Sequence, residues 1–446
     1  MARSCAAAVL LFIALAAIAA FMLNPRLTRY VESDVFRQAL ENETAKGLHF
    51  RGGIYAPIHR TGLMTARSER FRAGDGQKAM RSIDAREITA RFNPWAIFLR
   101  RWQFDDIRIG SGDVEVQIYE PASEPVPAKP WFSIFLPNRV YLKRIESDAA
   151  NVTWQFRAQR AGFFGTRLLI TPHGRDFNYQ ATGGTLKMPL FPDLYLRQMH
   201  LLITKKLFTL YDVDLATAAA PVGEAVTQNE RNIHGHGTAG VGEDKSVDLD
   251  VSFERVPIRA WLPSNWKEHL TGTAFGKARW TGKDAKLESS SGEGSLGVRD
   301  ARITGFPFLE NLAIITGEKS FQHLELNDCA LELEWRYPKI DIGRIALEEK
   351  GKFRIEGALA TDRGTLSGAI ELGVARQYLN WLPKPDEIFT REQGGYLWTT
   401  VHLSGTTEAP KEDLSPRVVD LLKQSPAAFL GFLFRQLGAW LKQMSE

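Results

Sequence analysis

The chain has 446 residues, which is room for two or three ordinary domains or one elongated repeat body. Hydrophobic residues make up 44% and charged residues 24%, which excludes a disordered protein, and a net charge of +4 is too small at this length to call for nucleic acid. Two cysteines, Cys5 and Cys329, are too far apart in context to pair, so no disulfide framework and no cysteine-based metal centre is expected.

Residues 6–23, AAAVLLFIALAAIAAFML, carry no charge. Eighteen residues at helical rise span about 27 Å, close to the hydrocarbon thickness of a bilayer. The segment 1–23 is therefore expected to be a transmembrane signal anchor. A cleavable signal peptide ending near Ala17-Ile18-Ala19 is the alternative. The anchor is favoured because the run is long and a helical pattern follows directly. Arg26 and Arg29 outnumber Arg3, so charge does not settle the orientation. Arginine is dense before residue 110, which reads as a solvated surface ahead of a headgroup-binding one.

Residues 24–119 read as a membrane-proximal helix and a first β segment. Leu27, Val31, Val35 and Ala39 recur every four residues, with Gly47 as the stop. Alternating runs follow, interrupted by NPWAIFLRRW at 93–102, which suggests one or two helical turns. Residues 120–130 hold four prolines and form a loop. Residues 131–285 and 286–414 are then read as two further β segments, rich in period-two alternation. A short helix is expected in GFPFLENLAIITG. Residues 415–446 are expected to form amphipathic helices, opened at Ser415-Pro416 and Ser425-Pro426. Some twenty short strands without long helices between them exclude a doubly wound α/β sheet.

Candidate chemistry is sparse. GHGTAG at 235–240 matches a dinucleotide-binding pattern but follows no buried strand and opens no helix, so a glycine-rich turn is the better reading. His234 and His236 lack a third ligand and are expected on a solvated loop. No nucleophile elbow, zinc helix or phosphate loop is present. No catalytic residue, metal site or cofactor is expected, and the chain is not read as an enzyme.

One phrase occurs twice. Trp261-Leu262-Pro263 and Trp381-Leu382-Pro383 are each followed by a polar stretch and then an alternating strand ending at Gly282 or Gly405. Each is expected to mark the corner of a repeat, with Trp on the apolar face.

The C-terminal part carries SGEGSLGVRDARITGFPFLENLAIITG, LNDCALELEW, IEGALATDRGTLSGAIELGV and VHLSGTTEAPKEDL. With the N-terminal span, these turn-and-strand motifs resemble the AsmA-like family, related to TamB and to bridge-like lipid transfer proteins. Gly357, Gly364 and Gly368 fit its turn rhythm, and Gly405, Thr406 and Pro410 fit its close. The resemblance implies a single-pass protein of the bacterial inner membrane with its body in the periplasm. It also implies a mainly β fold: an elongated, curled, antiparallel and repetitive sheet forming an apolar groove, with an N-terminal transmembrane helix and short C-terminal amphipathic helices. The partners implied are phospholipid acyl chains, in support of phospholipid transport or outer-membrane biogenesis. The alternative is an envelope scaffold or outer-membrane protein assembly factor that carries no lipid.

Alternation in the later strands supports a groove independently. Leu324, Leu326, Leu331, Leu333, Trp335, Ile340, Ile342, Phe353 and Ile355 are the candidate lining, while Glu325, Glu332 and Glu334 point away. At the C-terminus, Phe429, Leu433, Leu437 and Trp440 fall at helical spacing and are candidates for docking on a membrane or an envelope protein partner.

Overall fold

The computed structural model describes all residues except 1–24, 26–27, 63, 78–79, 94–100, 118–138, 157–158, 175, 190, 205, 218–231, 241–245, 263–266, 284–286, 306–312, 314–317, 381, 408 and 425–446. The expected anchor 6–23, the proline-rich loop, nearly all of the GFPFLENLAIITG helix and the C-terminal docking residues Phe429, Leu433, Leu437 and Trp440 lie outside the described residues. Among the described residues no helix is long and apolar enough to cross a membrane. The fold is mainly β, and the chain divides into two units, Met1–Val213 and Asp214–Glu446.

The first unit opens with α1 (Asp34–Gly47). The Ser33 side chain caps it by accepting from the Phe36 N–H. Strands β1 (Ile54–Tyr55), β2 (Ile58–Arg60), β3 (Thr65–Ala73), β4 (Met80–Phe92), β5 (Arg101–Val116), β6 (Arg139–Leu142), β7 (Ile145–Phe156), β8 (Gln159–His173), β9 (Asp176–Thr182), β10 (Thr185–Lys187) and β11 (Leu194–Ile203) follow, and β12 (Leu207–Ala216) crosses into the second unit. That unit continues with β13 (Ile233–Gly240), β14 (Val247–Pro257), β15 (Leu270–Gly282), β16 (Ser290–Thr304), β17 (His323–Leu326), β18 (Asp328–Arg336), β19 (Lys339–Glu349), β20 (Phe353–Asp362), β21 (Thr365–Ala375), β22 (Arg391–Gln393), β23 (Tyr396–Gly405), β24 (Pro410–Glu412) and α2 (Leu414–Lys423).

The expected four-residue stripe in the first helix is not its buried face. Val35 is 72% exposed, while Phe36 and Ala45 are buried. Val31 is buried beside Phe36, but Ser33 between them is extended, so it ends one helical stretch and starts another, and the phase set at Val31 does not carry through. Likewise Arg101 and Trp102, expected in a helical turn, open β5.

The sheet of the first unit is mixed, not purely antiparallel as expected. β5 runs parallel to β6 and β7 in one register, Arg101 opposite Arg139 through Val116 opposite Trp154. The ladder continues across the break between β6 and β7, where Lys143 N–H donates to Phe104 C=O and Ile107 N–H to Arg144 C=O. The 22-residue connection from β5 to β6, which contains the proline-rich stretch, is long enough for the crossover that a parallel pair requires. Every other pairing within the two units is antiparallel among the described residues, and in the second unit it is largely a meander.

Three strands contain a non-glycine residue in the left-handed region: Glu87 (φ 54°), Arg255 (φ 53°) and Asp300 (φ 52°). Each is the second of two residues that stand between apolar positions: Ala85 and Ile88, Phe253 and Val256, Val298 and Ala301. Strict alternation would put the members of each pair on opposite faces. At Arg255 and Asp300 the pairing slips by one residue, a bulge that re-phases the strand, so Val256 and Phe253 pack in one core, as do Val298 and Ala301, whereas at Glu87 the register with β3 and β5 runs on unbroken.

The repeated phrase has a structural counterpart. β14 ends in a 3-10 turn at Ile258–Trp261 and β21 in one at Arg376–Leu379. In each case the next long strand, β15 or β23, folds back antiparallel on the strand before the turn. Leu382 is buried in the core, and Trp261 and Leu262 pack against it. Trp381 and Pro263 lie outside the described residues.

Candidate functional site

Register determines which side chains share a face. In the second unit Ile233, Phe253, Gly276, Leu296, Leu331, Ile345, Gly357, Ile370 and Val401 stand opposite one another across β13, β14, β15, β16, β18, β19, β20, β21 and β23. Two residues further along each strand comes Gly235, Val251, Ala278, Gly294, Leu333, Ile342, Leu359, Gly368 and Leu403, the step on β19 being a bulge. The next rung is Gly237, Leu249, Trp280, Gly292, Trp335, Ile340, Thr361 and Leu366. No charged residue occurs in any of the three. At about 4.8 Å per strand, the first rung is roughly 38 Å wide.

The opposite face is polar. Arg279 holds Asp248 through two bonds of 3.1 and 2.9 Å, which keeps that carboxyl below the usual carboxylate range. Arg344 reaches Glu332 at 3.3 Å. A sheet with one charged and one apolar face must cover the second with something apolar.

Among the described residues, protein covers only one half of it. Towards one end of the strands, Val256, Ala274, Val298, Phe353, Ile355, Leu372, Val374 and Leu397 form a core with Ile258, Phe321, Leu379, Leu382, Ile388, Phe389 and three residues of α2, Leu414, Val418 and Leu421. Leu372 is 2% exposed there. Towards the other end, Leu333, Ile342, Leu359, Leu249, Trp280, Trp335 and Leu366 are only half-buried, and Ile340 is 40% exposed.

The nine candidate lining residues therefore divide. Leu324, Leu326, Phe353 and Ile355 belong to the closed core, where protein already occupies the space next to them. Leu331, Leu333, Trp335, Ile340 and Ile342 lie on the half-exposed part of the same face. Alternation alone shows which face a residue is on. It does not show which end of a strand a distant helix will cover.

The first unit carries a comparable face that the sequence reading did not single out. Ala66, Ala90, Ile107, Ile145, Ile170, Tyr179 and Leu201 are in register across β3, β4, β5, β7, β8, β9 and β11, and each is half-buried. Burial there raises the pKa of the Tyr179 hydroxyl, since the phenolate would be poorly solvated. Ala73, Ile83, Val114, Val152, Phe163, Leu186 and Leu194 form a second rung. The signal was the same alternation, diluted by arginines on the other face.

Those arginines are largely neutralised. Arg70 bonds Asp84 at 2.7 Å, with Arg72 and Arg86 also within salt-bridge distance, and the guanidinium of Arg70 keeps the Asp84 carboxyl low. A cleft of about 750 Å³ beside them is lined by charged side chains, among them Arg51, Arg72, Asp84 and Glu115, together with Ile54, Ala73 and Ile83. Its charges are mixed in sign, so no single charge on a ligand is selected there.

The remaining motifs take structural roles. GHGTAG is not a turn but most of β13, with Gly235 and Gly237 on the apolar rungs. His234 and His236 accordingly stand on a strand and not on a loop. His234 Nδ1 lies 2.8 Å from Oδ1 of the buried Asp214. Among the described residues no group of His, Cys, Asp and Glu is arranged to hold a metal ion. Cys329 packs against the core, and burial pushes its thiol up to about 11, far from the reactive range. No family model matches the chain, and neither a characterised protein nor a solved structure matches it.

Proposed function

We propose that this chain is an AsmA-like protein that binds phospholipid acyl chains along the apolar face of its sheets. One observation supports the reading: each unit carries uncharged rungs in register, and among the described residues only part of the apolar face of the second unit is covered by protein. Each methylene moved from water onto such a face is stabilised by about 0.8 kcal/mol. The contacts are non-directional and repeat from rung to rung, so a chain is held firmly while remaining free to slide. The elongated groove, the inner-membrane anchor at residues 6–23 and the periplasmic body belong to this proposal, as does support of phospholipid transport or outer-membrane biogenesis. The chemistry is binding and transfer, without a covalent step or a cofactor.

The test is photocrosslinking from single positions in the full chain. A photoreactive residue at Leu333, Ile342 or Ile107 is expected to yield lipid adducts in cells, identified by mass spectrometry. The same residue at Glu332, on the polar face, is expected to yield none. Absence of lipid adducts at every apolar position would overturn the proposal and leave the envelope scaffold as the reading to pursue.

A further inference from the structure

Residues 425–446, which follow α2, read SPAAFLGFLFRQLGAWLKQMSE. From Pro426 to Met444 the only charges are Arg435 and Lys442. Phe429, Leu433, Leu437, Trp440 and Met444 recur three or four residues apart, so they share one face of a helix. Arg435 and Lys442 fall on the opposite side. A helix with so broad an apolar face needs an apolar surface against it.

The chain enters this segment from within the layer that covers the sheet. Leu414, Val418 and Leu421 of α2 are buried in the closed core, on the apolar side of the second unit. Asp413, just before α2, accepts from the His402 N–H at 2.8 Å, and Arg417, one turn on, donates to the Thr400 C=O at 2.6 Å. α2 thus runs back along β23, away from Leu403, and ends at Lys423 on the covered half. Only Gln424 and Ser425 separate it from Pro426, the short link typical of two helices that reverse direction.

A reversed helix would lie over the half of the apolar face that the described residues leave uncovered. Two uncharged rungs cross that half, one through Ile342 and Leu359, the other through Ile340 and Leu366. Ile340 is 40% exposed. The rungs are about 7 Å apart and roughly 35 Å wide. A helix from Pro426 to Met444 is about 28 Å long and about 10 Å thick, enough to cover most of both. Arg435 and Lys442 would stay in water. A two-residue tether also gives the segment an effective concentration of about millimolar or more at this face, an advantage that a membrane or a separate partner lacks.

We propose that residues 426–444 fold back as a helix on the uncovered half of the second unit's apolar face, with Phe429, Leu433, Leu437 and Trp440 against Ile340, Ile342, Leu359 and Leu366, and that an acyl chain binds there by displacing them. The docking does not depend on acyl-chain binding; the competition does.

The test places a photoreactive residue at Leu433, and separately at Leu359, in the full chain in native membranes, and maps the products by mass spectrometry. Docking is expected to give crosslinks within one chain, between 426–444 and β18–β21. A residue at Leu433 that reacts only with lipid or with another protein molecule overturns the docking, as does one at Leu359 that never reaches 426–444. The competition is read from lipid adducts at Leu359 in a chain ending at Gln424 and in full-length L433E/L437E. Both are expected to give at least about threefold more adduct than the natural chain, because the covered fraction no longer subtracts from the binding-competent one. Unchanged adduct yields in both overturn the competition and leave the docking. Crosslinks to 426–444 without lipid adducts in any chain would remove acyl-chain binding, and the competition with it, while the docked helix stands.

Discussion

The indole of Trp335 occupies the space above Gly292: a Cβ built on that glycine would sit 2.2 Å from Trp335 Cζ2 and 2.2 Å from the carbonyl oxygen of Arg279. The two residues are directly opposed on β18 and β16, with Trp280 on the far side of Gly292 in the same rung. The glycine thus lets a large ring lie flat on the apolar face. G292A is expected to destabilise the second unit by about 1–3 kcal/mol through overpacking, and to shift the tryptophan emission as the ring is displaced. Urea unfolding followed by fluorescence measures both. An unchanged midpoint and spectrum would contradict the close packing.

The half-covered face predicts an asymmetry between residues that look alike in sequence. L372A removes a side chain enclosed in the core and is expected to cost about 2–5 kcal/mol. L333N changes a side chain that is already half in water, and is expected to cost less than about 1 kcal/mol while reducing acyl-chain retention. Parallel unfolding curves and lipid extraction from the purified variants check the pair. Equal destabilisation of both would mean that Leu333 is as enclosed as Leu372.

The strands themselves were legible because alternation is a local property. LELEW at 331–335 put its leucines and Trp335 on one face and its glutamates on the other, as register pairing with β16 and β19 also does. What was not legible depends on distant residues. The parallel pairing of β5 with β7 follows from where a long connection returns the chain, and nothing in DDIRIGSGDVEV records it. The closed fate of Phe353 and Ile355 follows from the segments around Leu382 and Val418, which are remote in sequence. The bulges were hidden for a different reason. Arg255 and Asp300 are not the glycines that usually announce a left-handed residue, so the change of phase had no marker.

That absence of glycine gives a third prediction. At Arg255 the left-handed conformation is mildly strained for any side chain and strongly so for a β-branched one. R255V is expected to destabilise by about 1–2 kcal/mol, while R255G is expected to be neutral or stabilising by up to about 1 kcal/mol. Thermal unfolding of the two variants against the natural chain tests the ordering. R255V as stable as R255G would mean that the strand runs straight through this position.

Acid stability should report on Glu146. This carboxylate is nearly buried on β7, accepting from Arg167 Nε at 3.1 Å and from Arg144 Nη2 at 2.7 Å. The bond from Arg167 is the largest influence and lowers its pKa, outweighing the opposing effect of burial, with Arg144 adding to the shift. A folded pKa below the unfolded value of about 4.3 means that the unfolded chain binds the proton more readily. The stabilisation is therefore complete above that unfolded value and is lost as the pH falls through the lower, folded one. E146Q is expected to be less stable than the natural chain at pH 7, by about 1 kcal/mol because both arginines are substantially exposed. The two chains are expected to converge in stability below about pH 4. Urea unfolding at a series of pH values reads the difference directly, and a gap between them that stays constant down to pH 3 would remove Glu146 from the acid response.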